Sequence, residues 1–472
     1  MHSGASTKTP AFPLPQEIID TVIDNFALPL VTHTKDHPLH RSHLASLKAC
    51  SLVCHTFTPR SQTHIFSMLV FGIKVVYANK QSDAERRVGL LDLLKTKPHI
   101  TQNVRGISLD WEARTGSTAM WHIDDMNLFA HIHTLCLNIT SLCVNGGVET
   151  RDIPLPLFQP VPIARFKTIT FIRFDNVAVD ISTFALYPGL CNLCLSNVNF
   201  IGVSPTSATN ASHSSRLILH SLQFDWTNED SINSLAVIVE GAGHLPVLDL
   251  SQLRSFGHAQ HALTDQMVHL QDLSRILRRC VSLEKLDLRG SWLPILLRRL
   301  DKDSTIFRLS QLPKLAELVT NAMIIEFHKD SWEIEHNPLT DSPFLDVINL
   351  IDTISVENCL SKLELKFEFM SHAREPSIAN ISATVNWQQL ASQFIRIANG
   401  KALEVELVIV WIIARVIDAG THDAHGRDII LSDERHRVSR ILRSTFDEDL
   451  HTEMQSLRSC QWVKINVVYD VC

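Results

Sequence analysis

Glycine is scarce in this chain, 16 in 472 residues, and none sits in a phosphate-cradling Gly-rich loop. The Gly-x-Ser-x-Gly elbow and the His-Glu-x-x-His zinc helix are missing as well. Nucleotide-dependent and common hydrolytic chemistries therefore lack their usual sequence supports, and neither an enzyme nor a cofactor is expected. There is no cationic excess either. With 43 Lys and Arg against 50 Asp and Glu, the net charge is -7, which argues against a surface dedicated to nucleic-acid phosphates. Long apolar runs are also wanting. The strongest, Leu403 to Ile417, is broken by Glu404, Glu406 and Arg415 and falls short of the ~20 residues that cross a bilayer. It reads as a buried strand, and no membrane partner is expected.

The first fifteen residues hold no secretory apolar stretch, so a reducing compartment, cytoplasmic or nuclear, is the expectation. Ten scattered cysteines then read as buried thiols, not a disulfide framework. Hydrophobic residues make up 45% of the chain, enough for a large core.

Residues 1–11 are expected to be disordered. From there Pro15 suits a first helical turn, and Glu17 suits the positive end of the helix dipole. Ile18, Ile19, Val22, Ile23 and Phe26 fall on one stripe of a helix over about 15–26. A second helix over about 43–53 carries Leu44, Leu47 and Cys50 on one face, and Pro59 opens a third with Ile65 and Phe66. Three short helices cannot bury all of this apolar surface alone, so a partner or a following domain is expected to cover part of it.

The opening Leu14-Pro15-Gln16-Glu17-Ile18-Ile19 and the closing Leu47-Lys48-Ala49-Cys50-Ser51-Leu52-Val53-Cys54-His55-Thr56-Phe57 resemble the two ends of an F-box. The resemblance is to the F-box-like domains common in fungal proteins and covers residues 12–70, about an eighth of the chain. It implies that Leu14, Pro15, Ile18, Leu47, Leu52 and Val53 bind the Skp-type adaptor of a cullin-RING ubiquitin ligase. Phe57 stands where the family usually has Trp, and residues 28–42 form an insertion longer than the family's usual turn.

Beyond a connecting helical segment at 71–100, the template apolar-x-x-apolar-x-apolar recurs. It appears at Val104/Ile107/Leu109, Ile132/Leu135/Leu137, Phe166/Ile169/Phe171, Leu190/Leu193/Leu195, Leu219/Leu222/Phe224, Leu245/Leu248/Leu250, Leu283/Leu286/Leu288 and Leu360/Leu363/Leu365. A weaker copy lies at Leu315/Leu318, with eroded copies at Leu403/Val405/Leu407 and Val463/Ile465. Each copy reads as a short strand followed by a return segment. Return helices are expected at 267–279 and 387–399, the latter capped by Gly400. The fold class is therefore α/β: a short N-terminal F-box helical bundle, then an irregular leucine-rich-repeat-like solenoid over 101–472 with a parallel sheet on its concave face. A doubly wound domain is the alternative. Most copies lack the Asn that regular repeats carry after the strand, so the resemblance is to the irregular repeats attached to F-box domains.

Two clusters invite a chemical reading. His33, His37, His40 and His43 have near-helical spacing, but Pro38 favours a solvated loop over a metal site. Cys191 and Cys194 have redox spacing, yet Leu190, Leu193 and Leu195 are core positions of the repeat, so Cys191 reads as a packing residue and Cys194 as facing the open side of the sheet. No metal is expected.

Positions between the inward residues nominate a target-binding face: Asn192, Ser221, Gln223, Asp225, Val247, Asp249, Lys285, Asp287, Arg289, Lys362, Glu364 and Lys366. Arg289 and Trp292 stand out by residue type. The expected function is the substrate-recognition subunit of a Skp-cullin-F-box ubiquitin ligase, holding an unknown protein target. The alternative is a repeat scaffold that joins no ligase and whose N-terminal helices are a cap.

Overall fold

In a computed structural model of the chain the described residues are 15–25, 38–53, 55–74, 80–112, 131–132, 134–146, 168–201, 216–226, 248–260, 266–289, 308–326, 343–371, 386–413 and 460–471, with single positions between 235 and 239 and between 437 and 457. The chain divides into two compact units, Met1–Val179 with Leu186–Leu190, and Asp180–Ala185 with Cys191–Cys472.

The first unit opens with α1 (Gln16–Asp24), α2 (Pro38–Val53) and α3 (Thr58–Ile65). Pro38 and Pro59 occupy opening turns, where the missing N–H forgoes no helical bond. The drawn insertion 28–42 thus ends inside α2, and His40 and His43 lie on a helix, not in a loop. Ile19, Ile23 and Leu47 form a buried cluster with Phe57 and Ile65 packed against it. Asp24, at the end of α1, ties that helix to α3: Arg60 Nε and Nη2 each donate to its carboxylate at 2.7 Å, and His64 Nε2 lies 2.7 Å from Oδ1.

Next come β1 (Met68–Lys74), α4 (Lys80–Thr96), α5 (Pro98–Asn103), β2 (Gly106–Glu112), β3 (Ser141–Asn145) and β4 (Phe171–Asp175). β1 through β4 pair in parallel, each with the next. The strand β1 straddles the drawn boundary at 70, so the segment 71–100 begins as sheet and becomes helical only with α4. Met68 and Leu69 are buried there. α3 packs against α5, which joins the helical bundle to the rest of this unit.

The second unit carries β5 (Asn192–Ser196), β6 (Ser221–Trp226), β7 (Ser255–Gln260), α6 (Gln266–Leu277), β8 (Lys285–Leu288), β9 (Glu317–Glu326), α7 (Pro343–Asp352), β10 (Lys362–Ser371), α8 (Trp387–Ala398), β11 (Leu403–Ile413) and β12 (Val463–Val471). Every strand from β5 to β12 runs parallel to the next. Parallel neighbours need a crossover between them, and α6, α7 and α8 supply three of these. α7 packs against β9, and α8 against α7 and β12. Alternate residues of β10 and β11, Leu363, Leu365, Phe367 and Val405, Leu407, Ile409, are buried, and Trp387 of α8 meets the Phe367 ring edge-on at 6.3 Å. Fully burying a side chain of this size stabilises by about 1.5–3 kcal/mol.

The helix α8 begins where Asn386 Oδ1 accepts the Gln389 N–H at 2.9 Å. It ends in two successive left-handed residues, Asn399 at φ 44° and Gly400 at φ 76°, so the cap begins one residue before the glycine that the sequence nominates. Asn176 and Asn197, each the first residue past its strand, also take left-handed φ of 53° and 50° and turn the chain sharply before a buried valine.

Three copies of the repeat shift register. The strand expected around Ile132/Leu135/Leu137 is β3, aligned on Ile139/Leu142/Val144, and Leu137 is 76% exposed. The copy at Phe166/Ile169/Phe171 slides three residues to Ile169/Ile172/Phe174. That at Leu245/Leu248/Leu250 is a short strand, Leu248–Asp249, paired with Leu217–Ile218, while β7 is built on Leu253/Phe256/His258. In each case a second triplet of buried residues lies within eight residues, apolar in the first two and ending in His258 in the third, and burial selects between the two.

Candidate functional site

Helix α1 presents two faces. Ile19 and Ile23 point into the bundle, whereas Ile18 is 48% exposed, Val22 is also exposed one turn away, and Pro15 lies open just before the helix. At the end of α2, Leu52 is 86% exposed and Val53 is exposed beside it. Gln16 Nε2 donates to Thr56 O at 3.3 Å, which brings the first turn of α1 alongside the chain leaving α2. Leu47 departs from the expected docking set: it is 5% exposed and belongs to the core with Ile19 and Ile23, because its helix face turns inward. Leu14 lies outside the described residues. Phe57 packs half-buried on the same core.

The Asp24 knot links α1 to α3 through its three polar contacts. Hydrogen bonding from Arg60, assisted by His64 and the Arg60 charge, lowers the Asp24 pKa from 3.8 to about 2.

On the sheet of the second unit, Lys285, Glu317, Lys362, Glu404 and Lys464 stand in register across five strands, alternating in sign. Lys285 Nζ lies 2.8 Å from Glu317 Oε1, Lys362 Nζ 3.9 Å from Glu317 and 3.7 Å from Glu406, and Lys464 Nζ 3.4 Å from Glu404. Farther along, Arg289 is forked onto Asp287 by bonds of 2.6–3.1 Å, and Lys366 pairs with Glu368 at 2.6 Å. The structure thus brings Lys285, Asp287, Arg289, Lys362, Glu364 and Lys366 to one half-exposed to exposed region, as the alternation predicts. It also supplies Glu317, Glu404, Glu406 and Glu368, which sequence reading did not nominate; alternation in the weak Leu315/Leu318 copy could have revealed Glu317, and in the Leu403/Val405/Leu407 copy Glu404 and Glu406.

Other expected positions part company with that region. Asn192, Ser221 and Asp225 are half-buried and Gln223 exposed on β5 and β6. Asp249 sits on the short strand away from the main sheet and lines a cavity. Trp292 and Val247 lie outside the described residues.

The cysteine pair does not fit redox work. Cys194 is 3% exposed, contrary to its expected open position, and Cys191 is half-buried, accepting from Asn192 Nδ2 at 3.3 Å. Burial raises the Cys191 pKa, the reverse of what activates a thiolate nucleophile. Among the described residues no three His, Cys, Asp or Glu side chains converge on a metal position, and no helix is long and apolar enough to cross a membrane.

No protein-family model and no curated protein sequence matches the chain.

Proposed function

We propose that this chain is the substrate receptor of a Skp-cullin-F-box type ubiquitin ligase, with an F-box-like bundle at residues 12–70 and an irregular leucine-rich-repeat-like solenoid whose concave strand face holds the target. The observation that carries the reading is the exposed apolar set on the bundle: Pro15, Ile18, Val22, Leu52 and Val53 remain open although the bundle has its own closed core. Isolated exposed apolar residues are ordinary; five of them on a small bundle that has its own core mark a place for a partner. The mechanism is proximity. The bundle docks the adaptor, the sheet holds the target, and the ligase's transferring enzyme acts at raised effective concentration.

The test is co-precipitation of the full chain with a purified Skp-type adaptor. Ile18→Asp with Leu52→Asp, both at exposed positions, is expected to abolish capture while leaving the unfolding midpoint in place. Capture that survives this double variant would count against the docking assignment.

One observation favours a scaffold that joins no ligase: α3 packs against α5, as a cap on the first unit would. The same co-precipitation separates the readings, since a cap gives no capture by either the wild-type or the variant chain.

A further inference from the structure

The strand β12 (Val463–Val471) ends the sheet of the second unit: among the described residues it pairs with β11 alone, and its other edge meets no strand. Burial changes there. In β11 the core-facing Leu403, Val405, Leu407 and Ile409 are buried, whereas their neighbours in register, Val463, Ile465, Val467 and Tyr469, are only half-buried. Arg443 already lies over the Tyr469 ring at 5.8 Å. Trp462, just before the strand, is 45% exposed, and Val468 on the other face is exposed as well.

The backbone of β12 has a defined outward set. Trp462 O accepts the Leu403 N–H at 2.8 Å, and along a ladder alternate residues turn their N–H and C=O to the same neighbour. The even-numbered residues of β12 therefore bond to β11, and Val463, Ile465, Val467, Tyr469 and Val471 direct theirs to the open edge. Such a row is a template for another strand, and natural edges are commonly blunted by proline or a bulge. β12 contains no proline and keeps its register with β11 unbroken along its whole length.

We propose that this edge pairs with the same strand of a second copy of the chain, antiparallel about a two-fold axis through Val467. Directly opposite residues of an antiparallel pair exchange both hydrogen bonds, so outward residues must oppose outward residues. An axis at Val467 sets Val467 against itself, Ile465 against Tyr469 and Val463 against Val471. The same register sets Lys464 opposite Asp470, the two charged residues of the strand, on both sides of the axis. An axis one residue away in either direction keeps the outward parity but sets Lys464 opposite Val468 or past the strand's end, so charge selects Val467. Lys464 Nζ lies 3.4 Å from Glu404, yet its side chain is 79% exposed, and an ammonium carries three donors. Opposite residues share a face of the sheet, so the core-facing row of β11 and β12 runs on into the second copy and covers the half-buried aliphatics. One strand edge is a small interface, and association in the ~1–100 µM range is expected. This inference does not depend on the ligase reading.

Sedimentation velocity of the full chain across a concentration series should show a monomer–dimer equilibrium. Val467→Pro removes an N–H that the single chain does not use, at a position where edge strands accept proline. It should weaken association tenfold or more with little change in melting temperature. Lys464→Asp and Asp470→Lys should each weaken self-association several-fold, and an equimolar mixture of the two should recover dimers, since opposite charges then meet across the axis. Hydrogen exchange read by mass spectrometry should show the strand gaining protection as the concentration rises. A chain that stays monomeric at about 100 µM overturns the proposal, as do dimers that Val467→Pro leaves unchanged. Where Val467→Pro lowers the melting temperature, the charge variants decide: a mixture that recovers no dimer overturns the pairing. Protection of β12 that is equal at every concentration would show its edge covered within one chain, and overturns the proposal as well.

Discussion

Lys285 on β8 stands directly opposite Glu317 on β9, with 2.8 Å between Nζ and Oε1. Lys362, Glu404 and Lys464 extend the row with alternating sign. A slip of one residue would turn every side chain to the other face of the sheet, so this row links strand register to charge as well as to the apolar core. These partners are half-exposed to exposed, and each opposed pair is worth only ~0.2–1 kcal/mol.

Glu317→Lys places three ammonium groups abreast, since Lys285 and Lys362 flank position 317. Two favourable pairs become two repulsive ones, and the expected cost is about 1–2 kcal/mol, read as a lower urea midpoint with an unchanged slope. Raising the salt to about 1 M, where the screening length is ~3 Å, should shrink the difference. A midpoint equal to wild type would show the row to be merely solvated.

In the helical bundle, residues on opposite faces of α1 should behave oppositely. Ile23 is fully buried, so Ile23→Ala leaves a cavity and should cost about 2–5 kcal/mol. Ile18, half-exposed on the other face, should cost under about 1 kcal/mol when changed to Ala. Thermal unfolding of the two variants checks the assignment of faces, and similar losses at both would mean that Ile18 is covered.

The Asp24 knot makes stability depend on acid. Its folded pKa of about 2 lies below the ordinary 3.8, so the contribution is fully present above about pH 4 and is lost as the pH falls through about 2. The side chains of Asp24 and Arg60 are each 40% exposed, and solvent screening keeps the energy well below that of a buried pair. Arg60→Met removes the leading cause, and the Asp24 carboxyl should then titrate closer to its ordinary value by NMR. His64 would hold part of the shift.

Asn358 is a polar residue in the core of the second unit. Its Nδ2 donates to Ser355 O at 2.6 Å and to Ile397 O at 3.1 Å, and its Oδ1 accepts the Leu360 N–H at 2.7 Å. It thereby fastens the end of α8 to the approach to β10. Asn358→Ala strands a backbone N–H and a carbonyl out of water, at about 1–3 kcal/mol for each unsatisfied group. Chemical denaturation should show a loss of this order, and a neutral effect would mean that water replaces the amide.

Sequence periodicity carried the architecture where the apolar triplet had no competitor nearby. Leu283/Leu286/Leu288 and Leu360/Leu363/Leu365 fall at or within their strands. It failed at Leu137 and Leu245 because a second triplet followed closely, and a spacing rule cannot weigh which triplet loses more water. β1 escaped notice because Met68–Lys74 adjoins a helical motif whose apolar pattern absorbed it. The exposed apolar face of α1 was legible in part: the stripe 18, 19, 22, 23 is too wide for one buried face, but the pattern alone does not say which edge stays open. The signs of the ion-pair row needed register, which only strand pairing supplies. At Asn176 and Asn197, each just past its strand, an asparagine takes the left-handed turn.

Thiol reactivity offers a last check that spans both units. Burial pushes the Cys136 pKa up to about 11 and that of Cys280 to about 12, and Cys143 and Cys194 are also buried, while Cys359 is exposed. Reaction needs both access and thiolate, so among the described cysteines Cys359 should alkylate first under native conditions. Cys136, Cys143, Cys194 and Cys280 should react only as fast as the units open. Peptide-resolved mass spectrometry after a short iodoacetamide pulse reads this order directly, and Cys359→Ser should remove its fast phase alone. Rapid native labelling of Cys194 would place that residue on an open sheet face, restore the orientation that alternation alone predicts, and contradict the packing described for β5.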